Sequence, residues 1–245
     1  MKHLLIDADS IAYTGAYKED ELLGLRRVDD FMKQVWDDCW LYARENGHDM
    51  QTRTTYVETW EQKYNFRRWV ACTLPYKGGR AKSIPKHYID LCKKHMVDKY
   101  GAITVVYEES EDRCLQDQRS YGAENCIVAY KDKDVPQAAG IYYNYDKREF
   151  LTLTHEEAEL RLWKQVLTGD KSTDNIPGLD GIGPKRAETA LDGVPVECYS
   201  NHVAHIYKEL GHSYGYFIEQ CRLIYLLREP AEVWLPITSE EWSEL

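Results

Sequence analysis

The chain has 245 residues, with 31 Lys and Arg against 41 Asp and Glu, so its formal charge is −10. A hydrophobic share of 43% excludes an intrinsically disordered chain. No apolar run approaches the ~18 residues of a spanning helix, which excludes a membrane protein. The seven cysteines are scattered and contain no C-x-x-C pair, which argues against a disulfide framework and a zinc finger. The start carries no export-signal pattern, so a cytoplasmic protein is expected.

Short β-branched and aromatic runs alternate with helical patterns in the first part of the chain. Helices are predicted at Val28–Glu45 and Lys86–Tyr100. The predicted strands are His3–Ile6, Thr54–Val57, Ala102–Tyr107 and Cys126–Tyr130, followed by a hairpin of Gly140–Tyr145 and Glu149–Leu153. Their continuous rather than alternating hydrophobicity is typical of parallel strands buried on both faces. The sequence therefore predicts an α/β fold, with a mostly parallel sheet flanked by helices.

The character of the chain changes at Thr154, where a capping-box pattern predicts a helix over Glu156–Leu167. Glycines and prolines then punctuate residues 169–184, and Val233–Leu235 is the one further strand candidate. We therefore expect residues 1–153 to form an α/β domain and residues 154–245 a helical domain.

Acidic residues follow every predicted parallel strand. In open α/β sheets, ligands bind beyond the carboxyl ends of the strands, so these side chains should share one edge. The acids are Asp7 and Asp9, then Glu58, then Glu108, Glu109, Glu111 and Asp112, then Asp132 and Asp134. Such crowding opposes folding unless a cation neutralises it. Oxygen ligands suit Mg²⁺ or Mn²⁺, and two such ions together can promote phosphoryl displacement.

Two further features point to a polyanion. Residues 63–99 hold ten basic and two acidic residues, a local charge of +8 in an acidic chain. Trp69 and Tyr76 lie among them as aromatic side chains that can stack on bases. Downstream, the run 178–187 has three glycines followed by Pro184, Lys185 and Arg186, which predicts a turn and a helix start that bind phosphate.

Together these motifs resemble the 5′-nuclease or flap endonuclease family, and are most similar to stand-alone bacteriophage 5′→3′ exonucleases and the nuclease domain of bacterial DNA polymerase I. The likeness covers nearly the whole chain. Its motifs are the first-strand aspartate at 5–7, F-R…Y-K-x-x-R at 66–80, E-x-x-D at 109–112, D-K-D at 132–134 and the helix-three-turn-helix run at 169–187.

The resemblance implies a PIN-like 5′-nuclease fold, with a helical arch or clamp at about 64–100 and a C-terminal helix-three-turn-helix domain that binds DNA. It implies two Mg²⁺ ions, replaceable by Mn²⁺, and a K⁺ ion at the turn of 181–185. The implied metal ligands are Asp7, Glu109, Glu111 and Asp112 at one site, and Asp132, Asp134, Asp170 and Asp174 at the other. The implied catalytic residues are Lys77, Arg80, Asp7 and Asp132. The implied nucleic-acid contacts are Tyr76, Lys77, Arg80, Lys82, Arg67, Gly181, Gly183, Lys185 and Arg186.

The sequence departs from the family pattern at three places. The usual Asp after the second strand is absent, and Glu58 is its nearest substitute. Glu111 stands where the family has Asp. Asp170 and Asp174 are four residues apart instead of three.

The sequence therefore predicts a monomeric Mg²⁺-dependent nuclease. It should hydrolyse phosphodiester bonds of DNA near 5′ ends, flaps or junctions by two-metal-ion catalysis. An RNA–DNA hybrid is an alternative substrate, replication proteins are candidate partners, and the host cytoplasm is the location if the gene is a phage's. Two alternatives stay open: a PIN-like ribonuclease using the same acids, and a non-catalytic junction-binding protein.

Overall fold

Six strands form one sheet in the computed structural model, which describes residues 1–17, 20–59, 62–79 and 84–245. They are β1 (Lys2–Asp7), β2 (Met50–Glu58), β3 (Ile103–Val105), β4 (Cys126–Tyr130), β5 (Gly140–Asn144) and β6 (Glu149–Leu153). Their order is β3-β2-β1-β4-β5-β6. All neighbours are parallel except β5 and β6, which pair antiparallel as a hairpin. The predicted fold class, a mostly parallel sheet flanked by helices, is confirmed.

The helices of the described residues follow the predicted alternation. They are α1 (Asp9–Ala16), α2 (Glu21–Glu45), α3 (Arg67–Val70), α4 (Lys86–Tyr100), α5 (Ser110–Tyr121), α6 (His155–Thr168), α7 (Pro184–Leu191), α8 (Tyr199–Glu209), α9 (Tyr214–Ile224) and α10 (Ser239–Glu244). Short 3₁₀ turns occur at Gln62–Tyr64, Ala123–Asn125 and Val196–Cys198. No helix in the described part of the chain is long and apolar enough to cross a membrane.

The chain divides into two compact units. The first comprises Met1–Asn65, Lys82–Leu153 and Leu226–Pro230, and it holds the sheet. The second comprises Phe66–Ala81, Thr154–Tyr225 and Ala231–Leu245, and it is helical. The segment that carries the predicted clamp motif is thus shared: its first part packs in the helical unit, and α4 packs in the α/β unit.

The α/β unit has a core on both faces of its sheet, which explains the unbroken apolar runs of its strands. Leu4 and Ile6 of β1 pack with α1, α2 and α4, whereas Leu5 faces the opposite cluster with α5. All three side chains are fully buried. This packing places the carboxyl end of β1 at the middle of the sheet edge.

The structure corrects one predicted helix boundary and removes one predicted strand. Helix α2 begins seven residues before Val28, because the carboxylate of Asp20 accepts the amide of Leu23 at 2.9 Å and caps the helix there. The strand candidate Val233–Leu235 is wrong. That segment is irregular, since the Trp234 carbonyl accepts from Arg222 Nε at 3.0 Å.

Glycines close the loop between α6 and α7 in the helical unit. A Cβ atom on Gly169 or Gly178 would lie 2.3 Å from backbone atoms on the other side of the loop, and both residues have positive φ. Only glycine permits this approach. The amide of Ile176 bonds the carbonyl of Asp170 at 2.9 Å inside the loop. The glycines at both ends of the run 169–178 are therefore requirements of its backbone.

Candidate metal centre

Acids end four neighbouring parallel strands at one edge of the sheet. Asp7 is the last residue of β1 and Glu58 the last of β2, while Glu109 follows β3 and Asp132 follows β4. These four strands are consecutive in the sheet, with β1 at the point where the strand order reverses. Ligands of open α/β sheets bind at such a reversal. The topology alone thus concentrates negative charge there.

Three glutamates form the tightest group. Carboxylate oxygens of Glu58, Glu109 and Glu111 all lie within 4.8 Å of one another, close enough to share one cation. No other trio of His, Cys, Asp or Glu in residues 1–17, 20–59, 62–79 and 84–245 meets this condition. Glu58 and Glu109 are buried. The structure therefore puts Glu58, the substitute for the missing second-strand aspartate, beside two of the predicted first-site ligands.

Helix α5 begins inside this group and orients it. Glu109 is the N-cap: its carboxylate accepts the amide of Asp112, and Asp112 Oδ2 accepts the amide of Glu109 at 2.8 Å. Asp112 Oδ1 accepts the amide of Leu227 at 2.7 Å, and the residue is fully buried. Both oxygens of Asp112 thus accept hydrogen bonds from backbone amides. The positive end of the α5 dipole stabilises the negative charge of the surrounding acids. The role of Asp112 as a direct ligand stays a prediction.

Asp7 is an acid whose negative charge is disfavoured by burial. Burial first, then the charges of Asp9 and Asp132, raise the pKa of Asp7 to about 7, although a 2.6 Å hydrogen bond from Ser110 Oγ opposes this. Its Oδ2 is buried and accepts no hydrogen bond from the described residues. After burial itself, the charges of Asp7 and Glu111 raise the pKa of the nearby Cys114 thiol. The charges of Asp7 and Glu111 therefore act on the same buried thiol.

A buried lysine, one of the ten basic residues of the segment 63–99, compensates part of this charge. Lys93 of α4 is 2% exposed, and its Nζ lies 2.5 Å from Asp9 Oδ1 and 3.1 Å from the Glu58 carbonyl oxygen. Asp9 Oδ1 also accepts the amide of Glu58 at 3.0 Å. Burial lowers the pKa of Lys93, but the charges of Asp9 and Glu58 outweigh burial and raise it. Lys93 is thus a fixed internal cation that holds the end of β2.

The residues predicted for a second cation fall in both units. Asp132 and Asp134 follow β4 in the α/β unit, where Asp132 Oδ1 accepts the amide of Asp134 at 3.1 Å. Asp170 and Asp174 belong to the helical unit. Asp170 is buried, and its Oδ1 accepts the amide of Thr173 at 2.9 Å. Binding of a second cation by these four residues stays a prediction.

One predicted nucleic-acid contact is placed in the protein interior. Arg67 is 1% exposed, and its guanidinium donates to the carbonyls of Leu223 at 3.2 Å and Tyr225 at 2.7 Å, at the end of α9. The hydrogen bonds satisfy a helix terminus that has no further intrahelical donors. In this structure the side chain therefore stabilises the helical unit and presents no surface to DNA.

The remaining predicted contacts vary in their exposure. Tyr76 is 3% exposed, and Lys77 follows it with a positive φ of 55°. Arg80 and Lys82 lie outside the described residues. Gly181, Gly183, Lys185 and Arg186 are exposed around the start of α7. Gly183 caps that helix without a side chain, so the first amides of α7 stay available to an anion.

The residues of the α/β unit fit a hard divalent cation. The donor set consists of carboxylate oxygens only, which is the chemistry of Mg²⁺ or Mn²⁺ sites and unlike the nitrogen and sulfur sets that zinc usually takes. The buried Asp7 Oδ2 is a polar atom that a cation or its water would satisfy. Ser110 and Lys93, which no sequence motif singled out, fix the acids in place.

Solved structures similar to this chain include nucleases of bacteriophage T5. The D15 protein co-crystallized with metal ions has a TM-score of 0.62 at 12% identity, covering 92% of this chain and 90% of that one. T5 5′-exonuclease with bound divalent metal ions (zinc) has a TM-score of 0.59 at 14% identity, and the match covers 91% of this chain and 86% of that one. D15 flap endonuclease in a pseudo-enzyme-product complex with DNA and metal ions has a TM-score of 0.55 at 12% identity, and the match covers 93% of this chain and 89% of that one. No protein-family model and no curated protein matches the sequence significantly. The chain therefore has the 5′-nuclease fold.

Replacing Asp7 with Asn should stabilise the metal-free protein at alkaline pH. The unfolded carboxyl has a pKa near ~3.9 and the folded one about 7, so the unfolded state loses its proton first. Wild-type Asp7 therefore destabilises the folded state increasingly as pH rises between these two pKa values. In EDTA, Asp7→Asn should melt well above wild type at pH 8, with the difference shrinking toward pH 5. A difference that is the same at both pH values would contradict the cost of burying this charge.

Replacing Lys93 with Met should destabilise the protein by about 3 kcal/mol in urea unfolding, because it removes the buried ion-pair partner of the half-buried Asp9 carboxylate. Asp9→Asn combined with Lys93→Met should recover part of that loss. Lys94→Met is the matched control, since Lys94 is exposed and pairs with Asp98 across the helix surface, where such pairs contribute less than ~1 kcal/mol. Equal effects of Lys93→Met and Lys94→Met would show that the buried pair contributes nothing.

Proposed function

We propose that the protein is a metal-dependent 5′ nuclease that hydrolyses phosphodiester bonds of DNA near 5′ ends, flaps or junctions. The observation that carries the proposal is the convergence of Glu58, Glu109 and Glu111 at the carboxyl edge of the sheet, where β1 also ends at the buried Asp7. The fold shared with T5 nucleases, one of them in a complex with DNA and metal ions, supports it.

The three glutamates and Asp7 would hold a divalent cation, with Mg²⁺ as the physiological ion and Mn²⁺ as its substitute. A cation bound there would supply Lewis-acid chemistry, neutralising phosphate charge and lowering the pKa of a coordinated water. The chain contributes the preorganisation. Ser110 orients Asp7, and the capping box with Asp112 orients Glu109. Lys93 and Asp9 hold the backbone of Glu58, so little reorganisation is needed on binding.

Substrate contacts would come from basic side chains and helix amides outside the metal centre. Lys77, together with Arg80 and Lys82, would bind phosphate oxygens and the charge that develops on them. The first amides of α7, with Lys185 and Arg186, would bind the duplex backbone without reading its sequence. Such contacts position a DNA junction by its shape, which fits a structure-specific nuclease that needs no sequence motif.

Carboxamide substitution separates metal-dependent cleavage from DNA binding. Glu109→Gln with Glu111→Gln keeps an oxygen that can cap α5, but removes two negative charges from the metal centre. Cleavage of a labelled 5′-flap DNA in Mg²⁺ should fall by at least about 100-fold, as expected when a metal site is damaged. The mobility shift of the same DNA in EDTA should stay within about twofold of wild type, because the phosphate contacts are untouched.

The exposed Glu209→Gln on α8 is the control and should cleave like wild type. Full activity of the double variant would contradict the metal assignment. A wild-type protein that shifts flap DNA but releases no product in Mg²⁺ or Mn²⁺ would instead identify a binding protein. Preference for single-stranded RNA over 5′-flap DNA would identify a ribonuclease.

A further inference from the structure

The turn that carries Lys77 is fastened to the loop that carries Asp174, and both belong to the helical unit. The amide of Lys77 donates to the Asp174 carbonyl oxygen at 2.9 Å. The phenol of Tyr76 donates to Asp174 Oδ2 at 3.0 Å. From the neighbouring residue, Asn175 Nδ2 donates to the carbonyl oxygen of Pro75 at 3.0 Å. Residues 75–77 thus make three hydrogen bonds to residues 174–175.

The turn is also constrained from within. The amide of Gly78 bonds the Pro75 carbonyl at 2.9 Å, and a Cβ atom on Gly78 would lie 2.8 Å from that oxygen. Lys77 and Asn175 both have positive φ, at 55° and 62°. Residues other than glycine, asparagine and aspartate rarely adopt positive φ, so the conformation of Lys77 in particular needs surrounding contacts that enforce it. The hydrogen bonds to Asp174 are such contacts.

We propose that Asp174 is a positioning residue for Lys77, acting through Tyr76 and the turn, and that it does not ligate a metal ion. Tyr76 supports the turn from inside the unit instead of stacking on an unpaired base, because only 3% of it is exposed and its phenol is held by the carboxylate. The catalytic part of this proposal rests on the proposed phosphate contact of Lys77. The structural part, the fixing of the turn, is independent of nuclease activity.

The chemistry of Asp174 distinguishes the two roles. A metal ligand needs the negative charge of a carboxylate, whereas a hydrogen-bond acceptor for a phenol needs only an oxygen, which an amide also provides. Asp174→Asn should therefore preserve the positioning role and destroy a ligand role. Asp174→Ala removes the acceptor, and Tyr76→Phe removes only the donor.

Hydrogen exchange of peptides that span residues 72–79 measures the fixing of the turn directly. Exchange should accelerate about tenfold in Tyr76→Phe and in Asp174→Ala, the loss expected for one buried hydrogen bond, and stay near wild type in Asp174→Asn. Tyr214→Phe is the matched control. It also removes a phenol hydrogen bond in the helical unit, from Tyr214 to the Ile237 carbonyl, but one remote in sequence from the turn.

Single-turnover cleavage of 5′-flap DNA measures how the position of Lys77 affects the rate of the reaction. The rate at saturating DNA should fall about tenfold in Tyr76→Phe and Asp174→Ala, recover in Asp174→Asn, and keep the wild-type Mg²⁺ midpoint in all three variants. The two single losses should not add in Tyr76→Phe/Asp174→Ala, because they break the same bond.

Two results would overturn the proposal. One is a rate in Asp174→Asn as low as in Asp174→Ala together with a raised Mg²⁺ midpoint, which would make Asp174 a metal ligand. The other is unchanged exchange in Tyr76→Phe, which would show that the phenol does not hold the turn. A wild-type protein without nuclease activity would instead refute the proposed function, and the exchange measurement would still decide whether the turn is fixed.

Discussion

Like charges brought together by parallel strands are the constraint on which this structure depends. The sheet places Asp7, Glu58 and the acids after β3 and β4 at adjacent strand ends, in a setting where burial strengthens their repulsion. Three local contacts stabilise these carboxylates. A serine hydroxyl donates to Asp7, a capping box holds Glu109, and a buried lysine pairs with Asp9. What these contacts leave uncompensated is the negative charge that a divalent cation would neutralise.

The internal cation also changes how the basic segment is understood. The charge excess of residues 63–99 suggests a continuous surface for a polyanion, but Arg67 and Lys93 are buried and satisfied by protein groups. Arg67 completes a helix terminus in the helical unit, and Lys93 fastens a strand end in the α/β unit. Two of the ten basic residues in this segment are therefore buried, one in each unit. Fewer of them are available to DNA than the local charge of +8 indicates.

Much of the α/β unit could be predicted from the sequence because burial on both faces of a parallel sheet leaves an unmistakable apolar signature in strands such as β4. Strand ends then locate Asp7 and Glu58. Lys93 could not be predicted, since helical periodicity cannot tell a lysine that faces water from one that faces a carboxylate supplied by a residue more than eighty positions away. Ser110 could not be predicted either, because its partner Asp7 becomes a neighbour only when α5 packs beside β1.

The glycines of the helical unit show the opposite case, in which a local pattern predicts geometry well. Gly169 and Gly178 stand where two backbone segments approach too closely for any side chain, and Pro184 stands at the first turn of α7. The roles of Tyr76 and Asp174 within that frame depend on a contact between residues about one hundred positions apart, which the motif does not contain. The motifs therefore locate these loops, whereas the contacts that hold the loops are visible only in the structure.

Anomalous diffraction from crystals grown with Mn²⁺ would show where the chain binds a divalent ion. We expect an anomalous peak about 2.1 Å from carboxylate oxygens of Glu58, Glu109 and Glu111, the distance at which hard divalent ions of this size bind oxygen. Strong Mn²⁺ peaks elsewhere on the chain, with none at these three glutamates, would contradict this expectation.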